Sequence, residues 1–329
     1  MKSVCFITNS RDLSVGSYRI WVNDLNNWLC KLNIESKIYS PGDDISNSDI
    51  IICAKNNVNV ALEVKNRFPT KKVGVINLTA NQKNLPIDFV IVGSLEEKDS
   101  LAHYKNVFLF PLIENLFQGS GVKQHQQKNR LVVGYHGSHT HLAKFEPGLK
   151  WAVEQLDREV DLQLRIITSD ENFKWKVGYP NISDVKIKKW NINTIKEDLL
   201  MLDVGVVPNT TDLSVSAEKN TSRDLGLYDT DYILRYKNKS NAGRSFVFHQ
   251  LGIPVVADFT PSNLHILGNP HCGFVVNSKE GWLKSLRVLI NAEKRQLIAD
   301  NAKREFDRLY DPLDWASRLY EEILEVSHE

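Results

Sequence analysis

The chain is short of net charge, of long apolar runs and of the common nucleotide and metal fingerprints. Its 41 Lys and Arg residues face 40 Asp and Glu, for a formal charge of +1. A bulk nucleic-acid partner requires a basic face, so none is expected. No apolar run approaches the ~18 residues that a transmembrane helix needs. The opening MKSVCFITNS carries too short an apolar stretch for a secretory signal and reads as a first β-strand. No G-x-G-x-x-G follows that strand, so a nicotinamide-type site is not expected there. The four cysteines show no C-x-x-C spacing. Cys5, Cys30 and Cys53 lie in apolar segments, which predicts reduced core thiols and a reducing cytoplasm.

What is present suits a soluble α/β protein. At 329 residues and 42% hydrophobic content, the chain is long enough for two domains, each with its own core. In the first half, short apolar runs read as strands over 3–8, 36–39, 49–54, 72–78, 89–93 and 107–111. Helix-like segments over 18–32, 58–68 and 96–104 alternate with them. Such alternation predicts a parallel sheet covered on both faces, with ligands outside the carboxyl ends of its strands. The segment 118–130 is polar and aperiodic and predicts a linker, with His125 solvated. The domains are therefore expected at 1–120 and 131–311, with 121–130 between them.

The second half is organised around 239–258. Lys239, Ser240, Asn241 and Arg244 lead into an apolar helix that stops at Gly252, where a left-handed residue is free of strain. Ile253-Pro-Val-Val then reads as a buried strand. The helix start lies beside Lys239 and Arg244 and has free N–H groups, so it predicts an anion site. Leu131–Ser138 is a strand running into a polar turn, where Gly137 lets backbone N–H groups approach a phosphate. His136, His139 and His141 cluster there, with no cysteine or further histidine nearby in sequence. A contact to a phosphate or sugar hydroxyl is expected of one of them, and no metal site is expected.

Lys239, Asn241 and Arg244 ahead of Gly252-Ile-Pro-Val-Val-Ala, with Pro261 and Gly273-Phe-Val-Val after it, resemble the donor half of GT-B glycosyltransferases. The resemblance covers most of 131–327 and, more weakly, the first half. It implies two Rossmann-like domains facing across a cleft, with a last helix over 312–329 that crosses back to the N-terminal domain. It implies a nucleotide-sugar donor whose phosphate is held by Arg244, Lys239, Asn241, Gly137, Ser138 and Ser262. The acceptor-side loop would be Gly16, Ser17 and Arg19. With the phosphate so neutralised, no metal or other cofactor is expected. Asp203-Val-Gly-Val-Val-Pro208 matches the family strand that ends beside the donor, so Pro208 and Asn209 would face the cleft.

The chain departs from the family in two places. The E-x7-E of many retaining members is absent, and Lys239 and Val247 stand at the two glutamate positions. About thirty residues over 209–238 replace a short loop. Within them Asp229-Thr-Asp231 has the spacing of a metal-binding DxD, although its surroundings differ from that fold. Sugar transfer needs a base or a carboxylate near the reacting carbon. Asp231, Asp229 and His265 are the candidates for catalysis, and Ser262 is the expected N-cap of a short helix carrying His265.

The implied function is transfer of a sugar to a saccharide or glycolipid acceptor in bacterial surface polysaccharide synthesis, such as lipopolysaccharide or capsule. It would take place in the cytoplasm, with room for peripheral association at the inner membrane. Three alternatives stand beside it. One is a catalytically silent GT-B-like module that binds saccharide or a partner, which the missing glutamates favour. The others are a transferase for a CMP-linked ulosonic acid and a UDP-sugar epimerase.

Overall fold

The computed structural model describes residues 2–78, 82, 84–139, 147–175, 178–209, 241–269 and 271–327. The chain divides into two compact units, Met1–Gln118 with Arg308–Glu329, and Gly119–Asp307.

Unit 1 holds one six-stranded parallel sheet. Its strands are β1 (Val4–Ile7), β2 (Ser36–Tyr39), β3 (Ile50–Cys53), β4 (Lys72–Ile76), β5 (Phe89–Val92) and β6 (Val107–Leu109), in the order β2-β1-β3-β4-β5-β6. β1, β3, β4 and β5 are buried throughout, as strands covered on both faces must be. The first helix is broken into three pieces: α1 (Gly16–Tyr18), a π-helical turn over Arg19–Asp24, and α2 (Leu25–Lys31). Its Trp21, Leu25, Trp28 and Leu29 are core residues, as their spacing predicts. α3 (Val58–Arg67) follows β3, and α4 (Leu95–Ser100) follows β5. The chain's last helix also belongs to this unit. Lys72 Nζ donates to Ile323 O at 3.0 Å and Leu324 O at 2.6 Å, satisfying carbonyls that helix geometry leaves free. Tyr320 Oη donates to Lys2 O at 2.8 Å.

Unit 2 holds the second six-stranded parallel sheet. Its strands are β7 (Arg130–Gly137), β8 (Asp161–Thr168), β9 (Val185–Lys189), β10 (Val204–Val207), β11 (Val255–Asp258) and β12 (Phe274–Val276), in the order β12-β11-β10-β7-β8-β9. Its helices are α5 (Pro147–Leu156), α6 (Ile195–Leu200), α7 (Gly243–Leu251), α8 (Pro261–Leu267), α9 (Lys279–Val288) and α10 (Ala292–Leu309), and α11 (Pro312–Glu325) is the last helix of unit 1. Gly252 ends α7 at φ +65°, and a Cβ there would lie 2.6 Å from Val122 Cγ1 and 2.9 Å from Lys123 N. Both a left-handed backbone and close packing therefore require glycine at this position.

Three expectations change. Residues 119–130 lie within unit 2, where Lys123 N donates to Leu251 O at 3.1 Å. His125 is half-buried rather than solvated: its Nε2 lies 2.9 Å from Gly252 O, and burial pushes its pKa down to about 4. Cys5, Cys53 and Cys272 are buried free thiols, whereas Cys30 is exposed.

Candidate functional site

In both sheets the chain first winds to one side of its opening strand and then to the other. That reversal opens a crevice at the strands' carboxyl ends, where open α/β sheets bind ligands. In unit 2 it falls between β7 and β10. The elements beside it are the end of β7, the end of β10 and the N-terminus of α7.

Arg244 sits on the first turn of α7 and arches back over the end of β7. Its Cζ lies 5.2 Å from the centre of the Tyr135 ring. A Cβ on Gly137 would come within 3.2 Å of Arg244 Cδ and 3.0 Å of Tyr135 Oη, and Gly137 has φ +132°. The missing side chain at 137 is thus what admits the arginine. Arg244 Nη2 donates to Pro208 O at 3.1 Å and to Asn209 Oδ1. Because Arg244 fixes that amide's oxygen, its nitrogen faces elsewhere. Arg244 Nη1 and Asn209 Nδ2 are both buried with no hydrogen-bond partner among the described residues. Thr168, the register partner of Gly137 on β8, also buries a hydroxyl without a partner among the described residues.

A buried polar network holds this arrangement. Asp258, at the end of β11, accepts from Asn209 N at 2.8 Å and from Trp282 Nε1 at 3.2 Å. Its own carbonyl accepts from Asn263 Nδ2 at 3.0 Å, and Ser245 Oγ donates to Asn263 Oδ1 at 2.9 Å. The network therefore links β10, β11 and α8 to the first turn of α7. Satisfied buried networks of this kind fix one geometry.

The expected phosphate contacts divide as follows. Arg244 and Gly137 come together. Asn241 Oδ1 accepts from Gly243 N at 3.2 Å at the mouth of α7. Ser138 is exposed, and its carbonyl accepts from Tyr135 Oη at 2.9 Å. Ser262 is not the N-cap of α8. Thr260 is, accepting from Asn263 N at 3.1 Å, with Pro261 at the first helical position. Ser262 is buried behind it. His265 is exposed on α8. His136 packs edge-on against Phe248, and His139 lies 3.2 Å from Ser169 Oγ and stacks on Phe173. Lys239, Asp229, Asp231, His141 and nearly all of the 209–238 insertion lie outside the described residues. Among the described residues no group of three or more His, Cys, Asp or Glu could hold a metal ion. No described helix is long and apolar enough to cross a membrane.

In unit 1, Gly16 and Ser17 begin α1, and Ser17 is exposed. Arg19 does not line a ligand surface as expected. It is 6% exposed, its Nε and Nη2 donate to Glu114 Oε2 at 3.1 and 2.9 Å, and its Nη1 donates to Leu13 O at 2.6 Å. Its guanidinium is committed to tying the loop after β1 to residue 114.

The backbone of the whole chain is similar to solved structures. One is a glycosyltransferase from Rickettsia africae, at a TM-score of 0.67 and 12% identity over 99% of this chain and 100% of that one. A second is the sucrose-phosphate synthase of Thermosynechococcus elongatus, at 0.65 and 12% over 99% and 100%. A third is Anabaena HepE, solved with UDP and glucose, at 0.62 and 12% over 99% and 100%. The chain has the GT-B fold. No protein-family model and no curated protein matches its sequence. Val247, which stands at the expected second glutamate position, is buried in the core. The Asp258 network was not legible in the sequence, because Asn209, Trp282 and Ser245 are brought to it from other elements of the unit.

Proposed function

We propose that this chain is a glycosyltransferase that moves a sugar from a nucleotide-sugar donor to a saccharide acceptor. The observation that carries this reading is the set of unanswered donors at the unit 2 crevice. Arg244 Nη1 and Asn209 Nδ2 lack partners among the described residues, beside the start of α7 and above a glycine. Guanidinium and amide N–H groups only donate, and phosphate oxygens only accept, so the two match. As the glycosidic bond breaks, its electron pair passes to the leaving phosphate oxygen. Arg244 and the α7 amides would stabilise that charge more than the ground state. Asp229, Asp231 and His265 are the candidates to handle the acceptor proton or the oxocarbenium-like centre. Among structures of this fold, HepE was solved with UDP and glucose, which supports UDP-glucose as the first donor to test. We place the reaction in surface polysaccharide assembly, with a nucleotide-sugar and a saccharide or glycolipid as its partners.

Val247 and the absent glutamate pair favour a second reading, a catalytically silent module that binds saccharide or a partner and releases no UDP. Calorimetric titration with UDP-glucose, together with assays for UDP release, separates the two. Arg244→Ala should weaken binding by about 10- to 100-fold, the worth of charge-assisted hydrogen bonds. Unchanged affinity would refute the phosphate site. Tight binding without UDP release for any saccharide would favour the silent module. Isomerised sugar without an acceptor would mark an epimerase.

A further inference from the structure

The crevice of unit 1 lies between β1 and β3, and α3 stands to β3 as α7 stands to β10. Asn57 is the N-cap residue of α3, yet its side chain caps nothing. It is 3% exposed, and its Oδ1 is buried without a hydrogen-bond partner among the described residues. Asn77, one residue past the end of the adjacent strand β4, also buries an unpartnered Oδ1. Buried amides left this way are rare, because each has lost water without regaining a bond. α4 in the same unit shows the ordinary arrangement, with Ser94 Oγ accepting from Glu97 N at 3.1 Å.

The chemistry here differs from that of unit 2. At the N-cap, the Asn57 side chain lies beside the free amides of the first turn of α3, which donate. The amide oxygens of Asn57 and Asn77 accept. A phosphate oxygen answers only the donors, and an ammonium only the acceptors. A hydroxyl answers both, since it accepts from an N–H and donates to a C=O. No described side chain at these positions carries a charge that would select an anion, apart from exposed Lys55.

We propose that Asn57, Asn77 and the first turn of α3 form a subsite for the hydroxyls of a neutral saccharide. It rests on the glycosyltransferase reading and assigns the acceptor's contact in unit 1 to these residues in place of Arg19. Saturation-transfer NMR tests it with maltose and cellobiose as probes and with inorganic phosphate as the competing anion. Both Asn57→Ala and Asn77→Ala are used, with thermal melts to confirm folding. Saturation of at least one disaccharide on the wild type, with at least a tenfold rise in its dissociation constant in either variant, is the expected result. Three outcomes overturn the proposal: no saturation of either disaccharide on the wild type, disaccharide binding unchanged in both folded variants, or phosphate displacing the sugar. UDP titrations run alongside separate this failure from failure of the parent reading. If UDP affinity depends on Arg244 and the disaccharide result is negative, only the subsite falls.

Discussion

The two units wind alike but finish their crevices with opposite chemistry. Beside the switch point of unit 2, the groups left without a partner among the described residues include two pure donors, Arg244 Nη1 and Asn209 Nδ2, besides the Thr168 hydroxyl. Along the carboxyl edge of the unit 1 sheet, two amide oxygens lack a partner among the described residues, that of Asn57 after β3 and that of Asn77 after the next strand, β4. Arginine appears beside both crevices, yet Arg244 keeps a free N–H group while Arg19 is consumed by Glu114 and Leu13. Topology therefore supplies a place for a ligand, and the unpaired atoms at that place select its chemistry. Residue type alone does not: an arginine beside a parallel sheet keeps an unpaired N–H in one unit and is spent on Glu114 and Leu13 in the other.

The strongest way to break this contrast is to remove the strut. Arg19→Ala leaves Glu114 buried with its charge uncompensated, and burial already pushes that carboxyl's pKa up. Breaking a buried pair from one side costs about 3–5 kcal/mol. Urea denaturation should show that loss, while UDP affinity stays unchanged. Replacing both partners, as Arg19→Met with Glu114→Leu, should restore most of it. A loss below about 1 kcal/mol with impaired sugar transfer would return Arg19 to the acceptor role that its sequence position suggested.

The fold was largely legible because buried parallel strands are continuous apolar runs. All six strands of unit 1 fall within two residues of their expected bounds. Arg244 was legible because the helix start, the glycine stop and the strand after it are contiguous. The Arg19–Glu114 pair was not, since 95 residues separate the partners. The Asp258 network was hidden for the same reason, joining residues 24 and 49 positions away. The cap at Thr260 was readable and was missed. Pro261 favours the first helical position, which makes the residue before it the N-cap. The π-helical turn over Arg19–Asp24 has no local sequence signature that we can identify.

Acid acts in opposite directions on two buried groups, one in each unit. His249, fully buried in α7 and bonded to the Cys272 backbone, has its pKa pushed down to about 4 by burial. A histidine whose folded pKa lies below its unfolded value contributes its full stability above about pH 6.5 and loses it as pH falls towards 4. The loss for unit 2 should reach about 3 kcal/mol at the bottom of that window. His125 shifts in the same direction. In unit 1, burial pushes Asp24 up, so protonation there favours the folded state as pH falls. Calorimetric scans from pH 7 to pH 4.5 should lower the melting temperature, and His249→Leu should flatten that slope. An equally steep slope in the variant would place the acid sensitivity elsewhere.

The smallest expected effect tests whether α3 is left uncapped for a ligand. A serine at an N-cap accepts from the third helical amide and is typically worth about 1 kcal/mol over a residue that makes no such bond. Asn57 has the chemistry to do this and makes no such bond. Asn57→Ser should therefore stabilise unit 1 by about 0.5–1 kcal/mol in urea, because the shorter side chain can turn back onto the helix. The same variant should weaken disaccharide binding, since the amide oxygen that met the hydroxyl is gone. Ser94→Ala at the start of α4, where the cap is already made, should cost about 1 kcal/mol and leave saccharide binding alone. Opposite signs of stability at the two helix starts, together with weaker disaccharide binding in Asn57→Ser alone, would mark the bare start of α3 as trading stability for a ligand contact. A loss of stability in Asn57→Ser would instead make Asn57 a structural residue whose partner remains to be found.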